Sequence, residues 1–188
     1  MIDLTLKFLL AELNTHLRTR FSGSDDLAVL EQISRDPGNP GEKIENRLVL
    51  TLINIEREPI AANTARIHRQ VGDDILKVPQ PLNLNLILML ASHFPENYSD
   101  SLKVLSAAIG FFQSHPLFTR QSSPGLPDPI SRLSVEWHDL DLQAIHNLWT
   151  VLGGQYVPSA VYKARMLVLD EDLAGVEVPV ITGAQVES

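Results

Sequence analysis

Six histidines are the residues of this sequence best suited to hold a metal ion or to move a proton: His16, His68, His93, His115, His138 and His146. None stands in an H-E-x-x-H or comparable zinc pattern. His138 and His146 flank the start of one predicted helix, so a metal site between them is the chemical alternative. Solvated or capping histidines are the favoured interpretation, and we predict no metal site.

A serine hydrolase is the other chemistry that the residues allow, with Ser159 as nucleophile and with Glu136 and His138 beside it. The sequence lacks the G-x-S-x-G turn that exposes such a serine in many hydrolases. Ser159 equally suits the start of a strand, and the other two suit a polar strand face. We predict that the protein is not an enzyme and has no cofactor, with the hydrolase left open as an alternative.

Glycine pairs and charged clusters give no better indication of a ligand site. Gly153–Gly154 lacks the Lys-Ser/Thr or third spaced glycine of a phosphate loop, and it ends a predicted helix instead of opening one. The remaining clusters are interpreted as solvated loop charge: Asp25–Asp26, Asp73–Asp74, Glu171–Asp172 and the basic group Arg66, His68 and Arg69.

Composition narrows the class of protein further. The 188 residues carry a net charge of −8, which disfavours sequence-independent nucleic-acid binding. The absence of cysteine excludes disulfides, thiolate zinc sites and cysteine nucleophiles, and it fits a reducing compartment. Residues 1–17 lack the basic start of a signal peptide, and no apolar run reaches the roughly 20 residues that span a bilayer. We predict cytoplasmic assembly, with no membrane contact.

Hydrophobic periodicity predicts the elements that position these residues. A helix covers 2–21, a second follows Ser99 or Asp100 as N-cap and ends at 114, and a third covers 142–152 after Asp141 as N-cap. Strands are predicted at 47–57, 82–92, 130–138 and 160–169. The change of phase within 47–57 indicates either a strand that is buried on both sides or a bulge near Leu52–Ile53. Several large apolar residues are predicted to face inward, among them Leu102, Trp137 and Leu142.

Two segments fall outside this pattern. Residues 58–81 are predicted to form a long connection, a hairpin or arm, because they exceed the length of an ordinary turn. The tail at 170–188 is acidic and contains VEVPV, which is predicted to be a short edge strand. The predicted organisation is therefore one domain at 1–169 followed by the tail, and the fold class is α+β: a layer-packed, mixed and mostly antiparallel sheet flanked by helices.

The stretch at 147–167 is the most distinctive local pattern and predicts a fixed turn. Gly153 and Gly154 take the positive φ that ends a helix, and Tyr156 and Pro158 stiffen the connection to the next strand. Trp149 is predicted to lie in the core. This stretch builds a shape and contains no reaction centre.

Four short motifs, in this order and at these spacings, carry a resemblance to a known family. They are N-L-W at 147–149, L-G-G at 152–154, Y-x-P-S at 156–159 and Y-K-x-R at 162–165. Together with LNLNLILMLASHF at 82–94, they make the chain resemble the Pvc16 N-terminal domain family from its first residues to about Leu169. Asn85, Ile87 and Ala164 depart from residues that are common in that family.

The resemblance implies a fold like that of phage tail terminators and a role in contractile injection systems, which are phage-tail-like particles. Proteins of this kind cap the end of the inner tube distal to the baseplate, stop its growth and contact the last sheath layer. The implied partners are further copies of the chain, in a ring that is typically six-fold, together with the inner tube protein and the sheath protein.

A cap of this kind needs unlike surfaces, because a closed ring joins one patch to a different patch on its neighbour. Candidate interface residues are Asn83, Asn85, Ile87, Lys163 and Arg165. Lys163 and Arg165 serve equally well as charges that solubilise an edge strand. A further alternative is a monomeric adaptor that binds a partner through the 58–81 arm.

Overall fold

The computed structural model describes residues 1–33, 44–58, 68–71, 74–77, 83–153, 155–168 and 176–178. Three helices are present in these ranges: α1 Ile2–Phe21, α2 Tyr98–Ser114 and α3 Leu142–Leu152. The strands are β1 Ala28–Leu30, β2 Arg47–Arg57, β3 His68–Val71, β4 Asp74–Lys77, β5 Asn83–His93, β6 Leu117–Thr119, β7 Ile130–Trp137, β8 Ser159–Val168 and β9 Val176–Val178. All seven predicted helices and strands are confirmed, within three residues at their ends.

Six strands form one mixed sheet in the order β1-β2-β5-β8-β7-β6. Only the β1–β2 pair is parallel among the described strands of this sheet, and the other neighbours are antiparallel. Of the two alternatives for 47–57, the bulge is present, because the β2–β5 register shifts between Leu52 and Asn54. The predicted α+β class with a mostly antiparallel sheet is therefore confirmed.

A second sheet of three strands has the order β3-β4-β9. The β3–β4 pair is the predicted hairpin within 58–81. The β9 strand is the predicted edge strand within VEVPV, and it pairs with β4 so that Ile75 lies opposite Val178. Part of the predicted tail is thus joined to the predicted arm.

The two faces of the large sheet carry separate hydrophobic clusters. The helices α1 and α2 cover one face, where the fully buried leucines of the sheet lie: Leu48, Leu50, Leu86, Leu88, Leu90 and Leu133. The helix α3 covers part of the other face through Trp149, which packs with Val49, Ile87 and Met89. On β5, the residues of this covered part are Ile87, Met89 and Ala91.

The sheet position of β8 corrects one expectation. Lys163 and Arg165 lie on a central strand with β5 on one side and β7 on the other, so they do not solubilise an edge. The edges are formed by β1 and β6, which have three residues each. Strands this short show too little alternation to be predicted.

Three predicted inward residues are instead exposed, each at the margin of its element. Leu102 is 41% exposed because α2 packs through Ser101, Leu105, Ala108 and Phe112, which lie beside it on the helix. Leu142 is 85% exposed because it occupies the first turn of α3, ahead of the packed residues Ile145 and Leu148. Trp137 is 52% exposed because it ends β7.

Short polar side chains cap the starts of α2 and α3, whereas α1 follows Met1 without a side-chain cap. The Asp141 carboxylate accepts from the Ala144 N–H at 2.7 Å, as predicted for α3. The α2 cap differs from the prediction: the Asn97 side chain, not that of Ser99 or Asp100, accepts from the Asp100 N–H at 3.2 Å. Both Asn and Asp cap well, so the sequence pattern alone did not separate these positions.

Candidate functional site

Strand register brings the predicted interface residues into two rows on the face of the sheet that α3 leaves partly uncovered. Across β2, β5, β8 and β7, the first row is Asn54, Ile87, Lys163 and Glu136, and the second is Glu56, Asn85, Arg165 and Ser134. We call these eight residues the polar face. The bulge after Leu52 decides its composition, because one extra residue in β2 moves Glu56 onto the same side as Lys163.

Two cross-strand ion pairs order the charges of the polar face. The Lys163 Nζ lies 3.1 Å from a Glu56 carboxylate oxygen, and the Arg165 Nη2 lies 3.0 Å from one of Glu136. The Arg165 and Glu136 side chains are each about half exposed, so this pair is worth at most about 1 kcal/mol and is screened by salt. The charges thus remain available to a partner surface.

Glu56 and Glu136 are the ion-pair partners of Lys163 and Arg165, and neither is among the predicted interface residues. Glu136 was placed correctly on an outward strand face, and its link to Arg165 follows once β7 and β8 are known to be neighbours. Glu56 had a detectable indication in the predicted bulge, because the change of phase after Leu52 reverses the faces of the residues that follow.

The two asparagines of β5, Asn83 and Asn85, lie on the same face of the sheet. Asn85 is 2% exposed, and its amide N–H donates to a Glu58 carboxylate oxygen at 2.9 Å. Among the residues that the structure describes, the buried Oδ1 atoms of Asn83 and Asn85 have no hydrogen-bond donor. Burial of an unpaired acceptor costs about 1–3 kcal/mol, so these positions are not optimised for stability of the single chain.

Ile87 shows where the polar face ends. Its side chain is 6% exposed and packs beneath α3 with Met89 and Trp149. Within the predicted interface set, Arg165 is exposed and Lys163 is half-buried. Asn83 is half-buried, between these extremes.

The turn after α3 begins at Gly153, which has the positive φ predicted for it. Gly153 has φ +64° and closes the helix with a hydrogen bond from its N–H to the Thr150 carbonyl at 3.2 Å. Trp149 is buried, and the exposed ring of Tyr156 contacts it edge-on with centroids 5.7 Å apart. The Pro158 carbonyl accepts from the Ser92 N–H at 2.9 Å, which ties the turn to β5. Gly154 lies outside the described residues.

The hydrolase candidates do not form a connected site. His138 and Ser159 border a cavity of about 100 Å³ with Trp149, but their side chains form no hydrogen bond with each other in the described structure. Glu136 lies outside this cavity and is paired with Arg165. No group of three or more metal-ligating acidic or histidine side chains occurs among the described residues.

No helix in the described part of the chain is long and apolar enough to cross a membrane.

The buried hydroxyl of Tyr162 shows the most strongly perturbed acidity of the described structure. Burial raises the pKa of Tyr162 to about 12, because the ionised phenol would lose its hydration. This group is neutral at physiological pH and serves as part of the hydrophobic packing.

Comparison with known proteins relates this geometry to a family. The sequence model of the Pvc16 N-terminal domain matches residues 5–183. No curated protein matches the sequence.

Two solved structures are similar in fold. The anti-feeding prophage cap, described as a tube terminating cap, superposes with a TM-score of 0.53 and 15% identity, covering 94% of this chain and 59% of that chain. The sheath/tube terminator of the PVC extracellular contractile injection system, in its extended state, gives 0.48 and 14%, with 95% and 64% covered. The chain therefore spans less than two thirds of the length of either relative. The likeness to the prophage cap shows a shared fold.

Proposed function

This chain belongs to the Pvc16 N-terminal domain family, and we propose that it terminates the tail of a contractile injection system. In this proposal, copies of the chain form a ring, six-fold by expectation, at the distal end of the inner tube and sheath and stop their growth. The observation that carries the proposal is the family match over residues 5–183 together with the fold shared with the anti-feeding prophage cap.

The two unlike faces of the sheet support a role in assembly. One face is closed by α1 and α2, while the other is only partly covered by α3 and presents the polar face. A ring built from identical subunits needs such unlike patches, because each interface joins different surfaces of the two copies. The proposed partners are thus neighbouring copies, the inner tube protein and the sheath protein, with assembly in the cytoplasm.

Within this proposal, the polar face is an interface of the ring. The charges of its two ion pairs alternate in sign from β2 through β8 to β7, which suits recognition by a surface with the opposite charge pattern. Such complementary charge determines orientation and partner choice more than raw affinity. Asn83 and Asn85 extend the same face towards the start of β5.

The direct test is the length of the particle. In a strain lacking this chain, electron microscopy is expected to show tubes or sheaths of irregular or excessive length, and the wild-type chain restores a uniform length. Uniform, normal particles in the deletion strain would contradict the terminator role.

Charge reversal separates the interface from simple stability. The single change Arg165→Glu breaks the pair with Glu136, whereas the double change Arg165→Glu with Glu136→Arg restores the pair with its polarity reversed. If the polar face is an interface, both variants fold but neither restores uniform particles. Lys103→Glu, on the exposed side of α2 with a comparable ion pair to Asp100, is the matched control and is expected to restore them. Rescue by the double variant would place the interface elsewhere.

A further inference from the structure

A small cavity lies beneath α3, between this helix and the sheet, where β7 ends and β8 begins. Its volume is about 100 Å³. A single buried water needs roughly 10–15 Å³ of such space, whereas sites for drug-sized ligands occupy roughly 300–1,000 Å³. The cavity is therefore larger than a site for one water and smaller than a site for a large ligand, and it fits a group of a few heavy atoms.

Strand register places two polar residues of the cavity on the sheet face that α3 covers. On the covered part of β5, Ala91 pairs with Ser159 and Met89 pairs with Val161. The His138 N–H donates to the Val161 carbonyl at 2.9 Å, so His138 lies opposite Val161. Because residues opposite each other on neighbouring strands share a face, His138 and Ser159 border the cavity from the side that faces α3.

Trp149 brings an unpaired donor to this cavity. It lines the cavity from α3 and is 6% exposed, and its indole Nε1 is buried with no hydrogen-bond partner in the described structure. The buried sheet residues packed against Trp149 are apolar and offer no strong side-chain acceptor. A buried N–H of this kind has lost its hydrogen bond to water, so an acceptor placed in the cavity would recover that bond.

The other polar groups determine which acceptor fits. In the described part of the chain, the side chains of His138 and Ser159 form no hydrogen bond, and each can donate or accept. Asp139 also lines the cavity, and one of its oxygens accepts from the Trp137 indole N–H at 2.7 Å. No lysine or arginine is among the described residues that line the cavity, so a bound anion would meet Asp139 without a compensating charge. A bound cation would leave the Trp149 donor unsatisfied.

A primary carboxamide has the required chemistry, because it is neutral, its oxygen accepts and its nitrogen donates. We propose that the cavity beneath α3 binds a primary carboxamide group, with its oxygen at the Trp149 Nε1 and its nitrogen towards Ser159 and His138. The group belongs to a small free amide or to an asparagine or glutamine side chain of a partner protein, which share this chemistry. This proposal does not rest on the terminator function.

Titration of the full chain with acetamide, followed by NMR, tests the proposal. The chain has two tryptophans and thus two indole N–H signals, which the variant Trp137→Phe assigns. The Trp149 signal is expected to move downfield and to saturate at millimolar acetamide, because a ligand of so few heavy atoms binds weakly. The Trp137 signal is expected to move much less, since its N–H is already bonded to Asp139.

Two probes with nearly the same shape separate the features of the amide. Acetone keeps the acceptor and lacks the donor, so it is expected to bind about threefold more weakly, the effect of one neutral hydrogen bond. Acetate is charged, and it is expected to bind at least about tenfold more weakly because its charge loses hydration beside Asp139.

A serine substitution tests the donor side of the amide. Ser159→Ala is expected to weaken acetamide binding about threefold and to remove most of the difference between acetamide and acetone, because the two changes delete the same hydrogen bond. Ser106→Ala, at an exposed position of α2 on the other side of the sheet, is the matched control and is expected to leave binding unchanged.

The source of the carboxamide is distinguished by N-acetyl-glutamine methylamide. Saturation of the Trp149 signal by this probe, at a concentration no higher than that of acetamide, identifies a partner's side chain, whereas a response to acetamide alone identifies a small free amide. Both results uphold the carboxamide site. Tighter binding of acetate, equal binding of acetone and acetamide to the wild-type chain, or no saturable shift of the Trp149 signal up to about 200 mM acetamide would each overturn it. In the last case the cavity holds water alone.

Discussion

Tyr162 is a core residue whose ring and hydroxyl have opposite effects on stability. Its ring packs against Phe112 and Trp137, and its hydroxyl is buried with no hydrogen-bond partner among the described residues. An unpaired buried hydroxyl is a cost to folding, because its hydrogen bonds to water are lost and not replaced. The residue therefore contributes through its ring and not through its hydroxyl.

We expect Tyr162→Phe to stabilise the protein by about 1 kcal/mol, because the change removes the unpaired group and keeps the ring. The measurement is the free energy of unfolding in urea at neutral pH. Tyr156→Phe is the matched control, since Tyr156 is 62% exposed, and it is expected to change stability very little. A clear loss of stability in Tyr162→Phe would show that the hydroxyl has a partner.

The raised pKa of Tyr162 gives a pH dependence with a definite sign. Its ordinary pKa of 10.0 rises to about 12 in the folded chain, so the folded state binds this proton more tightly than the unfolded state. The associated stability is present below pH 10 and is lost as the pH rises towards 12. Between pH 9 and pH 11.5, the wild type is expected to lose roughly 2 kcal/mol more unfolding free energy than Tyr162→Phe. Parallel loss in both proteins would contradict the assignment.

At the scale of elements, α3 shows how caps complement a short helix. Eleven residues form a marginal helix on their own, so its ends and its packed face must stabilise it. Asp141 satisfies the first turn, and Gly153 ends the helix with a left-handed conformation that other residues adopt at a cost. Trp149 anchors the middle against the sheet.

Two glycine substitutions distinguish the effect of backbone conformation from the effect of steric crowding. Gly153→Ala is expected to destabilise the protein by about 1 kcal/mol, because alanine is strained at positive φ. Gly110→Ala, within α2, is expected to stabilise it by about 0.5–1 kcal/mol through higher helix propensity. An added Cβ would meet nothing within 4 Å at either position, so crowding does not confuse the comparison. Urea unfolding measures both, and equal signs would refute the conformational explanation.

Local pattern was sufficient for the long elements and insufficient for the short ones. The periodicity of Ile2–Phe21 and of Asn83–His93 extends over enough residues to distinguish a helix from a strand. The three-residue strands β1 and β6 acquire their conformation from a neighbouring strand, and no local signal marks them. The candidate site was predicted in the same uneven way: Lys163 and Arg165 were found, but their acidic partners were not.

At the scale of the whole molecule, all strands of the large sheet lie between Ala28 and Val168. The hydrophobic clusters that cover its two faces are formed by residues of the same range and of α1. Within the tail the structure describes residues 176–178, which form β9 of the smaller sheet. The domain boundary at 169 stays a prediction.

Deletion of residues 170–188 is therefore expected to leave the large sheet folded. The melting temperature is expected to stay within about 4 °C of that of the full chain, which is the shift produced by a change of roughly 1 kcal/mol in unfolding free energy. Leu13→Ala, at a fully buried position of α1, is the contrasting variant and is expected to cost about 2–5 kcal/mol. Thermal unfolding followed by circular dichroism measures both. Collapse of the truncated chain to the stability of Leu13→Ala would move the domain boundary past 169.

The sequence by itself determined the helices and long strands, the stop after α3 and the family, because all of these depend on local spacing. The tertiary structure decided that β8 is central, that α3 covers half of one sheet face, and that Trp137 remains exposed beside Glu136. It also paired Lys163 with Glu56, more than a hundred residues away in the chain. The physical reason is that amphipathic spacing shows which side of an element is apolar, whereas strand order and register depend on the simultaneous packing of all elements.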